Sequence, residues 1–190
     1  MRVKICGITR PEDAQLAEQL GADAIGVVLC SESPRSVSME RAREIFDAVG
    51  PFTTTVAVTH TRSREELEMI FAIHPDAVQI FHPFTFTEAP GPRIIRAIGP
   101  HDALPEDCSA IIVDESHGKG KAVDLSRARN IAGRSNIPVI LAGGLTPGNV
   151  ADAIAAVRPY AVDVATGVET STGIKDAEKM QAFIQASRSA

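Results

Sequence analysis

The sequence predicts an α/β fold in which one domain, residues 1–190, forms a single (β/α)8 (TIM) barrel. Short β-branched runs alternate with amphipathic stretches from end to end, which is the pattern of parallel βα units. Eight such runs are present, whereas an open doubly wound sheet, the alternative architecture, normally uses fewer strands. No Gly/Ser-rich linker divides the 190 residues, and this length suits one domain.

The β-branched runs predict eight strands in chain order. They lie at residues 3–6, 24–29, 54–58, 77–80, 93–98, 110–113, 139–142 and 161–164. In a barrel of this kind the active site lies at the C-terminal ends of the strands. Candidate functional residues must therefore follow strands.

Helices are predicted between most of these strands. Apolar residues recur at helical spacing within 39–49, 67–71 and 150–157. Ser63 starts a capping box, Thr146 precedes a proline suited to the first helical position, and Asp176 can cap the last helix. Several prolines between residues 83 and 105 interrupt the periodicity. We therefore expect short or degenerate helices in the fourth and fifth units.

Composition and charge exclude several classes of protein. The formal net charge is −5 with scattered basic residues, which argues against a nucleic-acid partner. No apolar run approaches the ~18 residues of a membrane-spanning helix, and the N-terminus does not resemble a signal peptide, so we expect a cytoplasmic protein. The three cysteines and five histidines show no ligand spacing. We expect no disulfide and no metal site.

Two residues are candidates for acid–base chemistry. Cys6 ends the first strand and is followed by a glycine, so its thiol can act as a base, although a free cysteine is more often a small buried hydrophobic residue. Asp124 ends a Gly/Lys-rich loop that includes Lys119 and Lys121. Its carboxyl group can protonate a substrate oxygen, or it can be the N-cap of the following helix.

Two glycine loops and one arginine are candidates for substrate binding. Gly143 and Gly144 follow the seventh strand, while Gly167 and Val168 follow the eighth. The loops after these two strands commonly hold phosphate through backbone N–H groups, although each alone is also typical of a tight turn. Arg35 follows a proline after the second strand, so it can grip a carboxylate, or it can be a surface residue beside a turn.

Several segments together resemble the phosphoribosylanthranilate isomerase family, whose members are single (β/α)8 barrels. The matching segments run in family order along the chain: Lys4-Ile5-Cys6-Gly7-Ile8-Thr9, Ala22-Asp23-Ala24-Ile25-Gly26, Ser33-Pro34-Arg35-Ser36-Val37, Leu141-Ala142-Gly143-Gly144-Leu145 through Asn149-Val150, Val162-Asp163-Val164, Gly167-Val168-Glu169 and Gly173-Ile174-Lys175-Asp176. An ordered set of this kind is far more specific than one glycine loop.

The resemblance implies an Amadori rearrangement of a phosphosugar substrate without a cofactor. By position, Asp124 is the general acid that opens the ribose ring and Cys6 is the general base. By the same resemblance, Arg35 would bind the anthranilate carboxylate of the substrate. The amides around Gly143, Gly144, Gly167 and Val168 would bind its phosphate. The family includes monomers and homodimers, so either assembly is expected.

The chain departs from the family pattern at several loops. After strand four, either Phe81 stands where the family has a histidine or the loop is shifted by one residue, and Thr59 replaces a phenylalanine after strand three. Ala165-Thr166 replaces a pair of serines, Leu125 replaces a tryptophan, and residues 51–105 match only loosely. A related phosphosugar isomerase or epimerase therefore stays open as an alternative. A non-catalytic barrel that binds a phosphorylated metabolite is a third hypothesis.

Overall fold

The eight predicted strands close into a barrel. The computed structural model describes residues 1–87, 89–99, 102–114 and 123–190. Each strand pairs in parallel with the next along the chain, and the eighth pairs with the first. The strands are β1 Arg2–Cys6, β2 Ala24–Leu29, β3 Thr54–Thr59, β4 Ala77–Ile80, β5 Arg93–Ile98, β6 Ala110–Val113, β7 Val139–Leu141 and β8 Ala161–Val164. The predicted TIM barrel is confirmed.

Helices cover the outside of the barrel. They are α1 Pro11–Gln19, α2 Met39–Asp47, α3 Arg64–Phe71, α4 Leu125–Arg134, α5 Val150–Val157 and α6 Ala177–Ser189. A short 3-10 helix, Thr166–Val168, follows β8, and β9 Glu169–Ser171 pairs antiparallel with β10 Ile174–Lys175. In the described parts of the β4–β5 and β5–β6 connections no helix forms, as the prolines of that region predict.

Side-chain caps fix the starts of several helices. Ser63 accepts a hydrogen bond from the N–H of Glu66, and Asp176 accepts one from Lys179. The prediction for Thr146 is wrong, because α5 begins only at Val150. Asn149 accounts for the difference: its side chain accepts from the N–H of Thr146 at 2.8 Å and donates to the carbonyl of Gly144 at 3.0 Å. These bonds hold the preceding residues in a turn.

The strands bury two different faces. Along β1, Val3 and Ile5 pack in the apolar layer under the helices, while Lys4 and Cys6 point into the barrel, as the two-residue period of a strand requires. Valines, alanines and isoleucines fill most of the interior. Cys6 lies at the C-terminal end of β1, where that filling gives way to a cavity. No helix within the described ranges is long and apolar enough to cross a membrane.

Candidate active site

A cavity of about 1170 Å³ opens at the C-terminal ends of the barrel strands. Loops after β1, β2, β3, β7 and β8 form its walls. Five of the seven predicted site residues line it: Cys6, Arg35, Gly143, Gly144 and Gly167. The fold therefore brings together groups that are up to 161 residues apart in the chain, as from Cys6 to Gly167.

The Cys6 thiol sits at the floor of this cavity and is only 8% exposed. Burial has the largest effect and raises the pKa of the thiol, and the charge of Asp163 raises it further. Lys4 and Lys175 oppose both effects and lower the pKa. Ionisation of Cys6 therefore depends on the cations around it.

Lys4 and Asp163 form a buried ion pair beside Cys6. The Lys4 ammonium lies 2.7 Å from Oδ1 of Asp163 and donates to Oε1 of Gln79 at 3.1 Å. The side chains of Lys4 and Asp163 are 4% and 9% exposed. Burial is the largest single effect and lowers the pKa of Lys4, but the charges of Asp163 and Cys6, with the hydrogen bond to Asp163, together outweigh it and raise the pKa above its ordinary value. Lys4 is therefore cationic.

A second charged cluster lies in the cavity wall and holds Arg35. The guanidinium of Arg35 donates from Nε and Nη2 to the two carboxylate oxygens of Glu169, at 2.8 and 2.7 Å. Lys175 donates to Oε1 of the same carboxylate at 2.8 Å. Burial opposes ionisation of Glu169, but the hydrogen bonds from Arg35 and Lys175 prevail and lower its pKa to about 2. Arg35 is thus a fixed residue of the cavity wall.

Because Gly7 has no side chain, the aliphatic part of the Arg35 side chain can lie against the end of β1. A Cβ atom at Gly7 would lie 2.5 Å from Cδ of Arg35, and Gly7 has a φ of 72°, which a side chain disfavours. Because Gly7 follows Cys6, this contact places the arginine beside the thiol. Any larger residue at position 7 would separate them.

The two glycine loops touch each other at the rim of the cavity. Gly143 and Gly144 have φ values of 98° and 64°, and a Cβ at Gly167 would lie 2.0 Å from the carbonyl oxygen of Leu145. Val168 is placed differently, since its side chain is fully buried and its N–H donates to the carbonyl of Ala165 at 3.4 Å. Its backbone directly follows Gly167, which lines the cavity.

Asp124 is the N-cap of α4. Its Oδ1 accepts hydrogen bonds from the N–H groups of Ser126 and Arg127, at 2.9 and 3.1 Å. The preceding Val123 donates to the carbonyl of Gly143 at 3.4 Å, so Asp124 lies at the same end of the barrel as the cavity. Residues 115–122 of the same loop, including Lys119 and Lys121, lie outside the described residues.

His60 belongs to an aromatic pair at the divergent loops. His60 lines the cavity and stacks on Phe81 with 4.1 Å between ring centroids. Its Nδ1 is 2.9 Å from the hydroxyl of Ser31. The sequence assigned His60 no role, because a lone histidine carries no pattern.

The charged residues of the two clusters escaped prediction as site residues. Lys4, Gln79, Asp163, Glu169 and Lys175 entered the sequence argument only as parts of strands or family segments. The available signal was a charged residue inside an apolar strand, as at Lys4 and Asp163, since such residues are buried only when paired. Within the described residues, no cluster of three or more histidine, cysteine, aspartate or glutamate side chains is arranged to hold a metal ion.

Comparisons with known proteins identify a family. The sequence model of the family described as N-(5'-phosphoribosyl)anthranilate (PRA) isomerase matches residues 3–186. A curated protein of Methanoregula boonei named N-(5'-phosphoribosyl)anthranilate isomerase is 61% identical, over 100% of this chain and 98% of that protein. The crystal structure of phosphoribosyl anthranilate isomerase from Thermus thermophilus superimposes with a TM-score of 0.86 at 38% identity, over 100% and 99% of the two chains.

A third comparison concerns a structure with a ligand. It is a phosphoribosyl anthranilate isomerase in complex with reduced 1-(o-carboxyphenylamino)-1-deoxyribulose 5-phosphate. It is similar to this chain with a TM-score of 0.83 and 32% identity, and all of both chains is covered. The similarity therefore extends over the whole barrel.

Proposed function

Because this chain belongs to the N-(5'-phosphoribosyl)anthranilate isomerase family, we propose that it isomerises N-(5'-phosphoribosyl)anthranilate in tryptophan biosynthesis. The reaction is an Amadori rearrangement that gives 1-(2-carboxyphenylamino)-1-deoxyribulose 5-phosphate. One observation of the structure supports this most strongly. A single cavity holds the Cys6 thiol, the Arg35 guanidinium and both glycine loops.

Arg35 is the proposed ligand of the anthranilate carboxylate. Within the described residues its side-chain hydrogen bonds leave from Nε and Nη2, toward Glu169 and the hydroxyl of Thr166. A guanidinium has five N–H donors in one plane. Glu169 therefore does not replace the substrate carboxylate but fixes the plane of the guanidinium, so that the Nη1 side is oriented before substrate binds.

The phosphate is proposed to bind at the two glycine loops. Positive φ values at Gly143 and Gly144 turn successive backbone groups so that amides can converge on an anion. Gly167 is close to the first loop, so its amide and that of Val168 complete the cradle. The N–H of Val168 makes only a long bond to Ala165, which a phosphate oxygen can replace. Binding both ends of the substrate aligns its reacting centre.

Asp124 and Cys6 are the proposed acid and base. The Asp124 carboxylic acid donates a proton to the ribose ring oxygen, the C1'–O bond breaks, and a Schiff base cation forms. The Cys6 thiolate then removes the proton from C2', and the electron pair of that bond neutralises the cation as an enolamine. The enolamine takes up a proton at C1' and releases its hydroxyl proton to give the ketone. Proton exchange with water restores both side chains.

The cation formed on the substrate favours the base. Burial raises the pKa of Cys6, so ionisation of the buried thiol is unfavourable by itself. A Schiff base cation next to the thiol would lower that pKa, because opposite charges favour each other's ionised form. The base is thereby strengthened at the step that needs it.

The test is an isomerase assay in which the substrate is generated in situ and loss of its anthranilate fluorescence is followed. We expect enzyme-dependent turnover, and a loss of about 10²–10⁴-fold in Cys6→Ser because the base is removed. Cys108→Ser is the matched control, since Cys108 is a free thiol after β5 that does not line the cavity; it should keep full activity. Turnover by Cys6→Ser within a few-fold of the parent would remove Cys6 as the base. A folded parent without turnover would favour another phosphosugar or a binding barrel.

Assembly and location belong to the same proposal. Phe52 is 97% exposed at the end of the barrel opposite the cavity, so a second copy can cover it without blocking substrate. We expect a monomer or homodimer in sedimentation experiments. A cytoplasmic location is part of the proposal.

A further inference from the structure

The Lys4 ammonium takes no part in the proposed reaction steps, yet two hydrogen bonds hold it in a fixed position. Lys4 lies two residues before Cys6 on β1, so both side chains point into the barrel. An ammonium carries three N–H donors. Two of them reach Asp163 on β8 and Gln79 on β4, at 2.7 and 3.1 Å. Two opposite sides of the barrel thus anchor one cation.

Gly26 brings this cation against the cysteine. Gly26 is the register partner of Cys6 on β2. A Cβ atom at Gly26 would lie 2.8 Å from Sγ of Cys6 and 3.0 Å from Cε of Lys4, so both side chains occupy the space that a larger residue would fill. At this separation the charge of the ammonium favours the ionised form of the thiol, and the thiolate favours the ammonium.

We propose that Lys4 is a positioning residue for the isomerisation, and that its buried ammonium, anchored by Asp163 and Gln79, stabilises Cys6 as the thiolate that removes the C2' proton. This inference rests on the proposed role of Cys6. Lys4 keeps its own proton throughout, because the negative charges of Asp163 and Cys6 together hold its pKa above the ordinary value despite burial. It acts only as a fixed charge, which is effective where solvent is excluded.

Other charged groups near Cys6 also raise or lower the pKa of its thiol. Asp163 on β8 opposes the thiolate, whereas Lys175 on β10 favours it. Arg35, after β2, is a further cation whose charge interacts with that of the Cys6 thiolate. Asp114, after β6, lies on the cavity wall and is coupled to Asp163. Lys4 is the cation with the largest effect on the pKa of the thiol. Removing Lys4 should therefore raise that pKa more than removing Lys175.

The experiment measures the thiol directly, without substrate. In a Cys30→Ser, Cys108→Ser background Cys6 is the only thiol of the chain, and its alkylation rate by iodoacetamide is followed against pH. Lys4→Met keeps the length of the side chain and removes the charge, so the midpoint should move to higher pH. Asp163→Asn removes the opposing charge, so the midpoint should move to lower pH. Each pH unit of upward movement lowers the thiolate fraction at neutral pH about tenfold.

The opposite directions expected for the alkylation midpoints of the two variants distinguish an electrostatic role of Lys4 from a purely structural one. Both variants break the same 2.7 Å ion pair, so a purely structural role predicts equal directions or no movement, and either result would overturn the proposal. The double variant Lys4→Met, Asp163→Asn leaves no unpaired buried charge and guards against misfolding of the single variants. Its midpoint should lie between theirs, and a midpoint outside that interval contradicts the proposal.

Turnover then separates this inference from the proposed function. The pH profile of kcat/KM in each variant should move with its alkylation midpoint, while KM changes less than kcat. Unmoved midpoints with an inactive Cys6→Ser would reject Lys4 alone. If the alkylation midpoints move as expected while the pH profile of kcat/KM stays fixed, Cys6 is not the base. The proposed role of Lys4 in the reaction would then be rejected as well.

Discussion

Glu169 should contribute several kcal/mol to stability through the cations that it joins. Its side chain is 4% exposed and accepts hydrogen bonds from Arg35 and Lys175. These bonds lower its pKa from 4.5 to about 2. Since one pH unit corresponds to ~1.4 kcal/mol, ionised Glu169 adds ~3 kcal/mol to the free energy of unfolding at neutral pH.

The sign of the pH dependence follows from the lowered pKa. The stabilisation is complete above the pKa of the unfolded chain and is lost as the pH falls toward about 2. Glu169→Gln removes the ionisation, so its free energy of unfolding should lie at least ~3 kcal/mol below that of the parent at neutral pH. At about pH 3 the difference between the two proteins should shrink by ~2 kcal/mol, because the parent has then lost that part of its advantage.

Urea unfolding followed by circular dichroism, at both pH values, measures these differences. Glu44→Gln is the matched control, because Glu44 pairs with Arg41 on the exposed face of α2, where the two side chains are 51% and 49% exposed. An exposed pair is worth less than ~1 kcal/mol, so this variant should follow the parent at both pH values. A Glu169→Gln difference as small as that of the control, or one that does not change with pH, would refute the assignment of the cluster as a buried ionic network.

Two further predictions concern the acid and the phosphate rim. Asp124→Asn should lower kcat by about 10²–10⁴-fold while the melting temperature stays unchanged, because asparagine caps a helix as well as aspartate does. Asp124→Ala should lose the same activity and ~1 kcal/mol of stability in addition. Full turnover in the asparagine variant would mean that Asp124 serves only as the N-cap of α4. Gly167→Ala should raise KM and cost ~1–3 kcal/mol in thermal unfolding, since its Cβ would collide with the carbonyl of Leu145; an unchanged KM would contradict phosphate binding at this rim.

The barrel was predictable because its strands are nearly continuous apolar runs. A parallel strand buried on both faces needs no long-range information to be recognised. The strand bounds therefore differ from prediction by at most one residue, at the start of β1 and at the C-terminal ends of β3 and β7. The start of α5 was misplaced because Thr146 and Asn149 compete for the same turn. A side chain that bonds back to the backbone can end a turn as well as begin a helix.

The neighbours of Cys6 were not predictable in the same way. Lys4 meets Asp163 only because β1 and β8 close the barrel in the register that sets these two residues side by side, 159 positions apart in the chain. A shift of one residue would turn Asp163 outward toward the helices. The sequence contains both charges, but the pairing is a property of closure.

Closure also explains why the charged clusters do not merely stabilise the fold. Replacing a buried ion pair by apolar residues is often neutral or stabilising, so stability alone does not require Lys4 and Asp163 beneath Cys6. What an apolar pair cannot supply is a fixed cation beside a thiol that burial keeps protonated. The same holds for Glu169, which orients Arg35 through two hydrogen bonds. In each cluster the carboxylate anchors a cation at a set position: Asp163 holds Lys4 beside Cys6, and Glu169 holds Arg35 in the cavity wall.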